Sequence, residues 1–132
     1  MEITVLLDRD LDGEDKWFEA GMRETGWDRH LTISFKRFRD FGLPDNTTDQ
    51  DVWRFVQQQG FLLITNNRNR DGDTSLQATL ERENRIDSLP VITVSDKDSL
   101  KLSNYRQRVI TTLVRIIIDL DYYRGGGRLF AP

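Results

Sequence analysis

The sequence predicts an α/β fold: a three-layer α/β/α sandwich with a central, mainly parallel sheet of four to five strands. Two observations support this prediction. Short apolar segments typical of strands alternate along the chain with segments of helical periodicity. The first of them, residues 2–7, is largely apolar, as expected for a strand buried on both faces. Strands separated by helices pair in parallel through right-handed crossovers, which places helices on both faces of the sheet.

Composition limits the possible classes of protein. The 132 residues suffice for one core but not two, so we expect a single domain over residues 1–132. The chain has no cysteine, which excludes a thiol nucleophile, a thiolate zinc site and a disulfide framework. A net charge of -3 argues against non-specific coating of DNA. Neither a signal-peptide pattern nor an apolar segment of membrane-span length is evident, so we expect a cytoplasmic protein with no membrane contact.

The first half of the predicted sheet contains two strands. The first, residues 2–7, leads directly into Asp8 and Asp10. A helix should begin at Asp12 or Gly13 and end at Gly26, because its apolar residues recur at helical spacing: Trp17, Phe18 and Met22. Residues 31–35 alternate apolar with polar side chains and form the predicted second strand.

The middle of the chain combines a capped helix, a strand and a polar loop. Thr48 is the expected N-cap of a helix over residues 49–59, and Gly60 ends it. Residues 61–65 form the third strand, and residues 66–73 form a polar loop. The predicted buried stripe of the helix consists of Val52, Trp53, Phe55 and Val56.

The last third should add two helices and two strands. Thr74 and Gln77 fit a capping box for a helix from residue 75 to about residue 85, and residues 91–94 form the fourth strand. A long final helix is predicted by an apolar stripe of Leu102, Tyr105, Val109, Leu113, Ile116, Ile117 and Leu120, with Arg106, Arg108 and Arg115 outward. Three glycines then precede a short last strand over residues 128–130.

Polar residues follow the strands at the edge where parallel sheets usually bind ligands. The ends of the first, third and fourth strands should bring together Asp8, Asn67 and Asp96. Asp49 begins a helix, whose N-terminus can arch over the same edge. Crowded carboxylates repel one another unless a cation compensates them, and Mg²⁺ or Mn²⁺ suits an all-oxygen cluster.

This cluster suggests metal-assisted hydrolysis of a phosphodiester. We expect Asp8 and Asp49 to be metal ligands, and Asn67 to be a neutral ligand or a group that positions water. Asp71 or Asp96 would complete the ligand shell. Each acid also has an ordinary structural explanation, because Asp49 lies in a first helical turn and Asp71 precedes a glycine in turn chemistry.

Other residues extend or limit this chemistry. Arg68 and Arg70 lie inside the polar loop and are candidate phosphate contacts, although a solvated face is the commoner explanation for surface arginines. His30 is the one histidine and should lie away from this edge, so histidine catalysis and His-rich zinc sites are poorly supported. The sequence contains neither a Gly-x-Ser-x-Gly elbow nor a phosphate-binding Gly-Lys-Ser/Thr loop.

Two segments together resemble the PIN-like domains, particularly the small stand-alone bacterial proteins related to toxin ribonucleases. They are Leu6-Leu7-Asp8, and Asp49 placed sixteen residues ahead of Thr65 in Leu62-Leu63-Ile64-Thr65. The resemblance implies a PIN fold and a Mg²⁺- or Mn²⁺-dependent endoribonuclease acting on RNA. In it, Asp8 and Asp49 match family acids, and a small antitoxin-like protein is an implied partner.

The chain departs from the family pattern after the third strand. Where the family usually shows Thr-x-Asp-x-Asp, this sequence has Thr65-Asn66-Asn67-Arg68-Asn69. Asparagine offers a neutral oxygen to a cation and so contributes less charge. Three hypotheses therefore stay open: a metal-dependent ribonuclease; a non-catalytic PIN-like domain that binds or regulates, with a homodimer face; and a module that binds phosphate or nucleotide on the amides of residues 71–75.

Overall fold

The central element is a five-stranded, all-parallel sheet in the order β2-β1-β3-β4-β5. The computed structural model describes residues 1–67 and 72–132. Helices flank the sheet, so the predicted three-layer α/β/α sandwich is confirmed. The strands are β1 (Glu2–Leu7), β2 (Thr32–Lys36), β3 (Leu62–Thr65), β4 (Val91–Thr93) and β5 (Arg128–Phe130).

The helices divide between two apolar cores. They are α1 (Asp15–Thr25), α2 (Asp49–Gln59), α3 (Leu76–Glu83), α4 (Ser103–Ile118) and α5 (Leu120–Tyr123). Val5 and Leu7 of β1 belong to the core that includes residues of α1 and α4, whereas Leu6 belongs to the core that includes residues of α2 and α3. Alternate strand residues point to opposite faces, which explains why the end of β1 is apolar at consecutive positions. None of the described helices is both long and apolar enough to cross a membrane.

The capped helix before β3 was predicted to the residue. The hydroxyl of Thr48 accepts a hydrogen bond from the amide of Asp51 at 3.2 Å, and α2 begins at Asp49. Gly60 ends this helix with φ of 74°, a left-handed conformation that glycine adopts without strain. The last strand, β5, also has its predicted bounds.

Several local predictions were wrong. Ser75 rather than Thr74 caps α3, since the Ser75 hydroxyl accepts from the Ala78 amide at 3.2 Å. Leu102 is 62% exposed because it precedes α4 and does not join its buried stripe. Arg106 does not point freely outward, because its guanidinium Nε donates to the Glu24 carboxylate at 2.7 Å.

The start of α1 also differs from the prediction. A short 3₁₀ helix, Arg9–Leu11, follows β1 directly, and α1 begins only at Asp15. This turn holds Asp8 and Asp10 close to the end of β3. The strand order places β1, β3 and β4 side by side, so their carboxyl ends share one edge of the sheet.

Candidate functional site

Asp8 is fixed between the ends of β1 and β3. Its side chain is buried, with the residue only 3% exposed. One carboxylate oxygen, Oδ2, accepts from the Thr65 hydroxyl at 2.7 Å, and Oδ1 accepts from the Arg9 amide at 2.9 Å. Burial is the main cause that raises the pKa of Asp8 above its ordinary value, and these two hydrogen bonds oppose it. The carboxylate is therefore held in one orientation at high electrostatic cost.

Asp10 lies in the 3₁₀ turn beside Asp8 and is incompletely bonded. Its Oδ2 accepts from the amide of Asn66 at 3.2 Å. Its Oδ1 is buried and has no hydrogen-bond partner among the described residues. Burial, and next the charge of Asp8, raise the pKa of Asp10 to about 6. Asp8 and Asp10 thus form a carboxylate pair in which one oxygen is shielded from water and unsatisfied.

Asp49 is already compensated by groups of the protein. Its Oδ1 forms an ion pair with the guanidinium of Arg9 at 2.8 Å. Its Oδ2 accepts from the side-chain amide of Asn67 at 2.9 Å and from the backbone amide of Leu76 at 3.1 Å. Asp49 therefore joins the turn after β1, the segment after β3 and the start of α3, and both of its oxygens are engaged.

Two more basic side chains approach this edge from the β4 and β5 side. The ammonium group of Lys97 donates to the backbone carbonyl of Asp10 at 3.0 Å. The guanidinium of Arg128 donates to the carbonyl of Asn67 at 2.8 Å and to the hydroxyl of Thr93 at 2.7 Å. Lys97 and Arg9 therefore place positive charge near Asp10, and Arg128 holds the segment after β3.

Asp96 serves as a cap. Its carboxylate accepts from the hydroxyl of Ser99 at 2.6 Å and from the Ser99 amide at 3.3 Å, at the start of the 3₁₀ helix Lys97–Lys101. The hydroxyl bond is the main cause that lowers the pKa of Asp96. Across residues 1–67 and 72–132, no three Asp, Glu or His side chains are grouped so that they could hold one metal ion. The predicted acids Asp8, Asp49 and Asp96 do not form such a group. Asp96 is a local cap, and Asp49 is bonded to Arg9, Asn67 and Leu76.

Other predicted residues are distributed differently. Asp71, Arg68 and Arg70 lie outside the described residues, so their predicted roles stay predictions. His30 follows the 3₁₀ helix Trp27–Arg29, ahead of the amino end of β2. This position is at the opposite edge of the sheet from the acids.

Sequence reasoning missed the most informative members of this site. The sequence places Asp10 behind the first strand without indicating a role for it, and no sequence pattern singles out Arg9 or Lys97. The available signal was the Asp8-Arg9-Asp10 spacing directly behind a buried strand. In a tight turn, residues two apart can both face the end of the neighbouring strand.

Comparison of the chain with models of protein families, with curated proteins and with solved structures found no significant match in any of the three. A function for the chain is therefore inferred from the geometry of the site and the chemistry of its residues.

Proposed function

We propose that this chain is a metal-dependent endoribonuclease of PIN-like type, in which Asp8 and Asp10 hold one Mg²⁺ or Mn²⁺ ion. The observation that carries the proposal is the buried Oδ1 of Asp10, which has no partner among the described residues and lies beside a second carboxylate. A buried polar atom without a partner is costly, and two adjacent carboxylates add repulsion. A divalent cation relieves both costs. Mg²⁺ is commonly held by one or two carboxylates together with water and substrate phosphates, so this pair fits such an ion.

The chain's own residues orient this pair. The Thr65 hydroxyl and the Arg9 amide fix Asp8, and the Asn66 amide fixes one oxygen of Asp10. A bound cation would supply a water of lowered pKa and polarise the phosphoryl group. Asp49 is assigned a positioning role, because it holds the guanidinium of Arg9, which remains partly exposed near the pair.

Arg9 and Lys97 are the residues we assign to phosphate contacts. Arg9 keeps 38% of its side chain exposed while it pairs with Asp49. Lys97 places its ammonium group against the Asp10 carbonyl, within the field of the same acids. Positive groups beside a metal site favour an anionic phosphodiester over a neutral substrate.

A second candidate function is a PIN-like domain without catalysis, which binds RNA, an antitoxin-like protein or a second copy of itself. The observation that favours it is the ion pair between Arg9 and Asp49, together with the neutral Asn67 beside it. In this alternative the guanidinium compensates the acid in place of a metal ion. The two candidates share a fold and differ in whether Asp8 and Asp10 bind a cation.

An anion site at the start of α3, the third sequence hypothesis, has less support. Among the predicted donors, the amides of residues 71–75, the Ser75 amide donates to the Gly72 carbonyl at 3.3 Å, and the next amide, that of Leu76, donates to Asp49. These helix N-terminal donors therefore have partners within the protein.

Cleavage of a mixed RNA pool tests the proposal. We expect products with Mn²⁺, none with EDTA, and none from the Asp8→Asn or Asp10→Asn variants. Asp96→Asn is the matched control, because its carboxylate caps a different turn, and it should cleave like the wild type. Equal cleavage by Asp10→Asn and the wild type would refute the proposed ligand pair. Absence of both Mn²⁺ binding and cleavage would favour the non-catalytic domain.

A further inference from the structure

A cavity lies at the edge of the sheet opposite the acids, where β3 and β4 begin. It has a volume of about 670 Å³, within the range of small-molecule pockets. Its wall includes Trp53 of α2, Leu89 just before β4, and Leu120 at the start of α5. We call this the amino-edge cleft. It shares no lining residue with the acid site, by which we mean Asp8, Asp10, Asp49 and the basic residues Arg9 and Lys97 beside them.

Two buried polar atoms of the cleft lining have no hydrogen-bond partner among the described residues. They are the indole nitrogen of Trp53, a residue only 5% exposed, and the side-chain oxygen of Asn84. The Asn84 side-chain nitrogen donates to the carbonyl of Gly125 at 2.9 Å. This bond fixes the orientation of the Asn84 amide, whose oxygen remains the atom without a partner among the described residues. Buried polar groups are nearly always bonded. Of these two residues of the cleft lining, one therefore carries a buried unmet donor and the other a buried unmet acceptor.

The cleft also has an uncommitted positive charge at its rim. Arg82 bonds to Gln50 and to the carbonyl of Asp73, and Arg124 bonds to Asp121. The guanidinium of Arg85, by contrast, is exposed and has no hydrogen-bond or ion-pair partner in the described ranges. It is free to meet an anion.

One wall of the cleft is rigid. The side-chain amide of Gln57 donates to the carbonyl of Leu89 at 2.9 Å and accepts from the Leu89 amide at 2.9 Å. This paired contact ties α2 to the segment before β4. A wall held in this way is formed before a ligand arrives, which reduces the entropy lost on binding.

We propose that the amino-edge cleft binds a nucleoside monophosphate. Every nucleobase edge carries hydrogen-bonding groups, so a base can offer an acceptor to the Trp53 N–H and a donor to the Asn84 oxygen. The phosphate meets Arg85, and Leu89 and Leu120 contact the flat base. Both unpartnered atoms are buried. In this proposal a base reaches them only when side chains at the rim move. The proposal uses no residue of the acid site and does not rest on the proposed ribonuclease activity.

The indole N–H resonances provide the test. The chain has three tryptophans, and the Trp53 signal in a ¹H–¹⁵N correlation spectrum is the one lost in Trp53→Phe. AMP, GMP, CMP and UMP are titrated separately, beside adenosine and inorganic phosphate. We expect at least one nucleotide to shift the Trp53 signal in a saturable way and to leave Trp17 and Trp27 unchanged. Arg85→Gln should weaken this binding by about tenfold or more, whereas Arg115→Gln, on the exposed face of α4, should not.

Several results would overturn the proposal. They are no Trp53 shift with any of the four nucleotides at millimolar concentration, an equal response to inorganic phosphate alone, or unchanged affinity in Arg85→Gln. A crystal grown with the nucleotide that shows one ordered water between Trp53 and Asn84, and no ligand, would also contradict it. Arg85 is exposed, so this variant remains informative even if Trp53→Phe fails to fold.

Discussion

The two edges of the sheet leave polar atoms unsatisfied in different ways. Among the described residues, the unsatisfied atom at the carboxyl edge belongs to a carboxylate, that of Asp10, and lies beside a second carboxylate. At the amino edge the atoms without a partner in the described part of the chain are a neutral donor and a neutral acceptor, on Trp53 and Asn84. A charged oxygen requires a cation or a proton, whereas a neutral pair requires a ligand that offers both kinds of hydrogen-bonding group. The same sheet therefore supports two proposals of different chemistry.

Asp49→Ala should have the largest effect on stability, because it removes the acceptor shared by Arg9, Asn67 and Leu76. We expect a loss of about 2–4 kcal/mol in the free energy of unfolding, measured with urea. Asp51→Ala is the matched control, since it removes an exposed acid from the same helical turn and should cost at most about 1 kcal/mol. Equal losses in the two variants would show that Asp49 does not organise the carboxyl edge.

Thr65→Val should weaken cation binding without removing a ligand. The Thr65 hydroxyl orients Asp8 through the 2.7 Å hydrogen bond. Loss of a partner that orients a metal ligand typically costs about 10–100-fold in affinity, so Mn²⁺ should bind that much more weakly. Isothermal titration calorimetry measures the change, with Thr112→Val on the surface of α4 as control. Unchanged affinity of Thr65→Val for Mn²⁺ would show that Asp8 does not belong to the cation site.

The pH dependence of the free energy of unfolding should distinguish the carboxyl edge, which contains Asp10, from the amino edge, where Trp53 and Asn84 are neutral. The pKa of Asp10 rises from 3.8 to about 6 on folding, so between these values the folded protein keeps a proton that the unfolded chain has released. Metal-free protein should therefore lose stability as the pH rises through this window, and the loss should then stay constant. Asp10→Asn lacks this contribution. Its free energy of unfolding relative to the wild type should increase from pH 4 to pH 6, measured with urea in the presence of EDTA. A difference between the two proteins that stays constant with pH would contradict the raised pKa of Asp10.

The smallest expected effect is coupling between the two edges. Arg85→Gln should leave the Mn²⁺-induced rise in melting temperature unchanged, and Asp10→Asn should leave the nucleotide response of Trp53 unchanged. Distant sites without shared partners add independently to within about 0.5 kcal/mol. A larger mutual effect, measured by thermal unfolding with both ligands, would mean that the edges act as one site.

The fold could be predicted from the sequence because the patterns that indicate strands and helix ends are local. Consecutive apolar residues at Val5, Leu6 and Leu7 indicated a strand covered on both faces, and each face has its own core. Thr48 and Gly60 marked the ends of α2 because capping depends on neighbouring residues. Parallel strands then imply which strand ends meet, and this prediction holds for β1, β3 and β4.

The site was less predictable because it depends on contacts between distant segments. Arg9 and Asp49 are 40 positions apart, and no local pattern indicates that a guanidinium would meet this acid. The position of Asp96 after a strand predicts a metal ligand, but Ser99, three residues later, engages its carboxylate. Sequence patterns place acids near an edge, whereas the turn after each strand decides where the side chain points.

The most direct test of the central claim is the effect of Mn²⁺ on the melting temperature of the wild type and of Asp10→Asn, at pH 7.5. We predict that Mn²⁺ stabilises the wild type by about 2.7 kcal/mol at a hundred times its dissociation constant, and that Asp10→Asn shows no such shift. Asp96→Asn should behave like the wild type. Equal stabilisation of the wild type and Asp10→Asn, or none in either, would contradict a cation held by Asp8 and Asp10.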